Sequence, residues 1–237
     1  MSEALQQPQT LLIIGASRGL GHAMAAEFLH KGWNVLGTVR PGPARTPLHE
    51  LADDYPDRLA IEMLDIREPS QLAALHQRLT GRSFDILFVN AGATNPDPTQ
   101  TIGEVSTEDF IDLMLTNALS PMRVIERLEC YVPANGTLGV MSSGQGSISD
   151  NHTGQRELYR GTKAALNMFM RSFAARQSAT ARAMVVMAPG WVRTDLGGPD
   201  GRLSIEESVP KLVSVLLEKH RRPGLEYLDY LGRTVAW

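Results

Sequence analysis

Tyr159 and Lys163 stand four residues apart in Tyr159-Arg160-Gly161-Thr162-Lys163, so a helix there holds both on one face. A phenol titrates near ~10, too high to exchange protons at neutral pH unless a neighbouring ammonium lowers it. The pair therefore points to proton transfer at an oxygen, with Lys163 also able to hydrogen-bond a ribose. Many surface helices carry Tyr and Lys at this spacing by chance. What sets this pair apart is its place, after an apolar run ending Met141-Ser142-Ser143 and a loop rich in Gly and Ser. A serine hydroxyl there can hold the substrate oxygen that receives the proton. Ser143 is the candidate, and Ser142 stays open as the alternative.

A second chemistry belongs to Gly15-Ala16-Ser17-Arg18-Gly19-Leu20-Gly21, which follows an apolar run directly and precedes a helical pattern. Glycines let the backbone turn tightly and approach a phosphate, while the free N–H groups of a helix start face the anion. Three glycines can also make a bare turn, but the strand before and the helix after favour a dinucleotide site. That reading puts Gly15, Ser17, Arg18, Gly19, Leu20 and Gly21 against the cofactor. The spacing is G-x-x-x-G-x-G, not G-x-G-x-x-G. The second apolar run ends Thr38-Val39-Arg40, where an NAD site wants an acid for the ribose 2′-hydroxyl. Val39 and Arg40 stand there instead, and Arg18 is a second guanidinium. Either arginine alone reads equally well as a solvated surface residue. Together, with no acid to repel a 2′-phosphate, they favour NADP(H).

These groups need strands and helices to bring them together. Apolar runs at 11–14, 34–39, 59–64, 85–90, 137–142 and 183–188 read as strands, with a weaker one at 225–231. Amphipathic stretches at 21–31, 69–80, 107–129, 158–176 and 205–219 read as helices. The strand runs carry few charges, as expected when both faces are covered. The fold class is α/β: a single-domain Rossmann fold, a doubly wound parallel sheet of about seven strands with helices on both faces. The Pro-rich stretch 41–47 and the stretch 94–99 read as loops at strand ends, and Asp53-Asp54 as solvated loop. Within 107–129, Asn117 is a poor helix former, and Pro121 lacks the N–H that would pair with its carbonyl. The Asn117 carbonyl is then free to hold a water beside Lys163. A plain proline kink that serves packing is the other reading.

With 43% hydrophobic residues, 237 residues suffice for one sizeable core, and no linker divides them, so 1–237 reads as one domain. A formal charge of −3 gives no general pull on nucleic acid or on a membrane. The single cysteine, Cys130, excludes an internal disulfide and fits a cytoplasmic location, as does a start without a basic signal segment. Six histidines lack metal-ligand spacing, so no metal is expected. Met168, Phe169, Met170 and Phe173 read as core or subunit packing. Lys219-His220-Arg221-Arg222 reads as a basic run answering a helix dipole.

These residues together resemble the classical short-chain dehydrogenase/reductase family over nearly the whole chain. The matching motifs run in order through Gly15–Gly21, Asp65-Ile66, Asn90-Ala91-Gly92, Asn117, the Ser143/Tyr159/Lys163 set and Pro189-Gly190-Trp191-Val192-Arg193-Thr194. The resemblance implies a nicotinamide cofactor and reversible carbonyl/alcohol hydride transfer. Tyr159 would be the acid/base, Lys163 its partner, Ser143 the donor to the substrate oxygen and Asn117 a proton-relay residue. Asp65 and Ile66 would flank the adenine, and Asn90, Ala91 and Gly92 would line the cofactor cleft. Pro189, Gly190 and Val192 would also bind cofactor, with Thr194 on the nicotinamide carboxamide.

The sequence departs from the family pattern at Ile14, at Val89 and in a lengthened interval between Ser143 and Tyr159. That loop, the short segment after Thr194 and Trp237 resemble small carbonyl reductases and C-factor-type signalling proteins. The expected function is an NADPH-dependent oxidoreductase acting on a small carbonyl or alcohol, as a homodimer or homotetramer through helices 107–129 and 158–176. The alternative is a C-factor-like signalling or NADP(H)-sensing protein acting through a partner. An epimerase or dehydratase of nucleotide sugars ranks last, since those chains are usually longer. Loops 144–158 and 191–205 would form the substrate pocket, with Trp191, Gly197 and Gly198 in a short lid.

Overall fold

Each apolar run bounded by glycine, proline or polar residues becomes a strand: β1 Thr10–Ile14, β2 Asn34–Val39, β3 Leu59–Met63, β4 Ile86–Val89, β5 Thr137–Met141, β6 Ala183–Ala188 and β7 Gly224–Asp229. The structure is a computed structural model that describes residues 8–180, 182–220 and 222–237. The strands form one seven-stranded sheet in the order β3-β2-β1-β4-β5-β6-β7, and every pairing is parallel. Even β7, the weakest run in the sequence, pairs with β6 along its full length.

Parallel neighbours need crossovers, and helices supply them: α1 Gly19–His30, α2 Pro47–Asp54, α3 Pro69–Arg78, α4 Thr107–Met114, α5 Ser120–Leu128, α6 Glu157–Arg176 and α7 Ile205–Lys219. Strand residues alternate between two cores. Leu12, Ile14, Leu87, Val89, Leu138 and Val140 face one, with Leu72 and Leu75 of α3, Ile125 of α5 and Phe173 of α6. Leu11, Ile13, Ile86, Phe88, Val185 and Met187 face the other, with Phe28 of α1, Leu48 of α2 and Leu212 of α7. Because both faces are buried, the sequence shows continuous apolar runs rather than polar alternation. The order reverses between β1 and β4, and the crevice past their carboxyl ends is where such sheets bind ligands.

Four expectations need correction. The Pro41–Pro47 stretch ends in a helix start: Thr46 caps α2 in a capping box with His49, and Pro47 takes the first turn, where a missing N–H costs nothing. Asp53 and Asp54 therefore close a helix rather than lie in a loop, and Asp53 pairs with Arg45 at 2.5 Å. The expected single helix at 107–129 is α4, a π-helical turn at Leu115–Leu119, then α5. Pro121 has no N–H for the regular ladder, and the backbone widens around Asn117 instead. In the basic run, Arg221 lies outside the described residues. Lys219, read as answering a dipole, is buried and bridges Glu226 at 2.9 Å and the Gly224 carbonyl at 2.7 Å.

Candidate active site

The glycine loop turns from β1 into α1 at the switch in strand order. Gly15 has a φ of +86°, and a Cβ there would stand 2.8 Å from the Ala91 backbone. At Gly21 a Cβ would meet the Gly15 carbonyl at 2.1 Å and Asn90 Nδ2 at 2.6 Å. Gly21 is thus required for close packing of the helix on the loop. The Asn90 amide donates to the Gly15 carbonyl at 2.7 Å, so it braces this loop rather than simply lining a cleft. Arg18 precedes α1 without a side-chain cap, leaving first-turn N–H groups for an anion. Its guanidinium reaches Asp195 at 3.3 Å, in an exposed pair of little intrinsic strength. Arg40 is exposed just past β2. Asp65 Oδ1 accepts from the Arg67 N–H, and Ile66 is buried in the core on the α3 face.

Tyr159 and Lys163 lie one turn apart near the start of α6, and both are buried. Lys163 Nζ stands 5.7 Å from the Tyr159 ring centre and donates to the Met141 carbonyl at 3.1 Å. Burial pushes its pKa down to about 8. The Tyr159 phenol is pushed up by burial, against the opposing pull of the Arg156 charge and a hydrogen bond with Ser143. The two serines differ. Ser142 Oγ is spent on Asn167 Oδ1 at 2.6 Å, and Asn167 in turn holds the Gly146 carbonyl. Only Ser143 faces the phenol. Tyr227 of β7 donates to the Ser143 carbonyl and braces it from below.

Asn117 reaches the same place by its side chain. It accepts from Ala93 N–H at 2.8 Å, and donates to the Ala93 carbonyl at 2.9 Å and to Thr162 Oγ1 at 3.1 Å. A Cβ on Gly92 would be 3.3 Å from both Asn117 Oδ1 and Lys163 Nζ, which measures how closely the three converge. Ser143, Tyr159, Leu20, Pro189, Gly190, Val192 and Thr194 line one cleft of about 570 Å³, with Trp191, Leu196 and Val235 among its apolar walls. The expected lid is internally tied: Trp191 Nε1 donates to the Gly197 carbonyl at 2.7 Å, and Gly197 N–H to Thr194 Oγ1 at 3.0 Å.

Sequence reasoning passed over Arg156, Asn167 and Tyr227. Arg156 has a left-handed backbone (φ 60°, ψ 43°), costing about 1–2 kcal/mol for a side chain with a Cβ. Its guanidinium lies 4.8 Å over the Tyr159 ring. The only signal was its place three residues before Tyr159. Loop 144–158 is further tied by Ser149, whose N–H and hydroxyl reach the Trp237 carbonyl at 3.2 and 3.0 Å.

The residues present fit a dinucleotide. Lys163 has one protein acceptor, the Met141 carbonyl, for three protons, the start of α1 has no side-chain cap, and Arg18 before it and Arg40 just past β2 are exposed. A seven-stranded parallel sheet with this crevice, and a buried tyrosine–lysine pair beside the half-buried Ser143, defines a Rossmann-type oxidoreductase. Residues 9–202 match the family described as short chain dehydrogenase, and the chain belongs to that family. It is similar to a short-chain dehydrogenase/reductase of Burkholderia multivorans crystallised with bound NADP: 72% identity, 97% of this chain, 100% of that one, TM-score 0.96. A carbonyl reductase of Pseudomonas aeruginosa in complex with NADP is 32% identical over 97% of this chain and 100% of that one, with TM-score 0.89. The C-signal of Myxococcus xanthus is 32% identical over 65% of this chain and 92% of its own length. That likeness agrees with the C-factor-like subgroup expected from the sequence.

Proposed function

We propose that the protein is an NADPH-dependent carbonyl reductase, running in reverse as an alcohol dehydrogenase, with 1–237 as one catalytic unit. One observation carries this reading: the buried Tyr159 lines an apolar-walled cleft together with Ser143, and Lys163 Nζ stands 5.7 Å from its ring centre. The bound dinucleotide supplies the hydride. Tyr159 gives its phenolic proton to the substrate oxygen, and Ser143 Oγ donates a hydrogen bond to the same oxygen as charge develops there. Lys163 stabilises the resulting phenolate and holds ribose hydroxyls. Asn117 anchors the loop after β4 and, through its carbonyl, holds the water that returns a proton toward Lys163.

For the cofactor, the start of α1 with Ser17, Gly19 and Leu20 takes the pyrophosphate, and Arg40 and Arg18 take the 2′-phosphate. Asp65 and the Ile66 backbone edge the adenine side, Ala91 and Gly92 the ribose. Pro189, Gly190, Val192 and Thr194 take the nicotinamide. The relatives with bound NADP support the choice of dinucleotide. The alternative, a C-factor-type role through a partner alone, draws on the C-signal likeness, but an intact proton-transfer set has no use in it. We place the enzyme in the cytoplasm, as a homodimer or homotetramer. Phe110 and Ile111 of α4, Leu119, and Met168 and Phe169 of α6 are exposed apolar residues suited to that contact.

An NADPH-oxidation screen over ketones, aldehydes and quinones tests the reading. Turnover of at least one class is expected. No oxidation by any class, with NADPH bound tightly, would favour the partner role instead.

A further inference from the structure

We propose that Arg156 binds a carboxylate on the substrate, so that the cleft takes oxo acids and their hydroxy-acid counterparts rather than neutral ketones. The inference rests on the carbonyl-reductase reading. Its starting point is a residue held in the wrong backbone region for its type. Arg156 is the one non-glycine residue with positive φ among the described residues, a conformation that glycine or asparagine adopts more cheaply. Such strain persists where the surroundings enforce it, and it collects at ligand sites.

The surroundings fix the guanidinium plane. It lies 4.8 Å over the Tyr159 ring, and Nη2 donates to Thr94 Oγ1 at 3.0 Å. Nε is buried without a partner, Nη1 makes no hydrogen bond to protein, and Arg156 is among the residues that line the cleft. No carboxylate pairs with Arg156 among the described residues. Arg182 offers a useful contrast. It too leaves Nε unpartnered, but Glu129 meets its charge at 2.8 Å.

The other charges of the cleft do not compete for an anion. Arg233 is taken by Asp229 at 2.6 Å, and Asp150 is exposed at the rim. Lys163 faces the cofactor side. Arg156 is thus the cation left for a ligand, beside the ring that carries the reacting phenol. A planar guanidinium matches a carboxylate in geometry, and the apolar walls Trp191, Leu196 and Val235 suit the organic part of an aryl or alkyl oxo acid.

The test compares phenylglyoxylate with its methyl ester, which share the ketone and the ring and differ in charge. We expect the wild-type protein to prefer the acid, and Arg156→Met to lower the acid-to-ester ratio of kcat/KM by about 10- to 100-fold, the range for a charge-assisted hydrogen bond. Reading the ratio removes any general effect of Arg156 on Tyr159. Arg156→Gly, which relieves the backbone strain, must give the same result if the charge is what matters. A ratio unmoved in both variants overturns the proposal, as does a wild-type preference for the ester. Calorimetric binding of benzoate and of its uncharged isostere benzamide separates the two readings. Benzoate binding that needs Arg156, in a protein that reduces no carbonyl, upholds the anion site and overturns the reductase reading. Benzoate bound alike by wild type and variants overturns the anion site.

Discussion

Burial holds the Lys163 ammonium at a pKa of about 8, against about 10.4 in an unfolded chain, so the folded protein carries this charge at a cost of roughly 3 kcal/mol. Below pH 8 both states are protonated and the full penalty applies. Between pH 8 and 10 the unfolded chain keeps the proton that the folded chain has released, so stability contributed by this group rises with pH. Above pH 10 the sign reverses, because burial raises Tyr159, and pushes Tyr227 up to about 12, while unfolded phenols ionise earlier. We expect Lys163→Met to be more stable than wild type at pH 7, with the gap narrowed to less than half by pH 9.5, and to be inactive. Urea midpoints at the two pH values check this, and a gap that widens contradicts it. At the serines, Ser143→Ala should cut turnover, while Ser142→Ala should cost about 1–2 kcal/mol of stability by stranding Asn167. Paired urea and kinetic measurements separate the two. The shared helix face of Tyr159 and Lys163 was legible from their spacing, and the place of Arg40 past a strand end from the apolar run before it. Arg156 and Tyr227 were not, since each joins the site by a tertiary contact that no local pattern announces.

Elements were legible where periodicity is strong and nothing interrupts it. β2, β6 and α7 end where their apolar patterns do, with Ser204 and Glu207 closing a capping box at the start of α7. α2 was missed because its eight residues follow a Pro-rich stretch and its capping box uses His49 where Glu or Gln is usual. The π-helical turn was half legible: Pro121 marked a break near Asn117, but not that the turn would widen while the Asn117 amide clamps Ala93. The packing of α1 on the glycine loop gives a test at this scale. Gly21→Ala drives a Cβ to 2.1 Å from the Gly15 carbonyl, and the helix must shift to accept it. We expect a loss of about 1–3 kcal/mol in thermal or urea unfolding, together with weaker NADPH binding. Unchanged affinity would mean that the helix start does not set the phosphate site.

At the scale of the molecule, one parallel sheet with its switch between β1 and β4 brings residues from position 15 to position 235 to one edge. The fold class could be read because both faces of the sheet are apolar and helices alternate with strands throughout. Substrate choice could not, because the cleft draws on loop 144–158, segment 191–205 and the residues past β7, which meet only in the folded chain. A formal charge of −3 says nothing of local arrangement, and both Arg18, before α1, and Arg40, just past β2, are exposed. Arg40→Asp should shift preference from NADPH toward NADH, and an unmoved ratio of kcat/KM for the two would remove the basis for the 2′-phosphate site. The exposed Phe110, Ile111 and Phe169 should be covered by a second subunit, so that Phe110→Glu with Phe169→Glu lowers the mass seen in sedimentation.

The most direct test of the account is NADPH oxidation by Tyr159→Phe, set beside its NADPH dissociation constant. Removing only the phenolic oxygen should leave NADPH affinity within about threefold and lower turnover of any accepted carbonyl by roughly 10²–10⁴-fold. Wild-type turnover in that variant would contradict the assignment of Tyr159 as the proton donor.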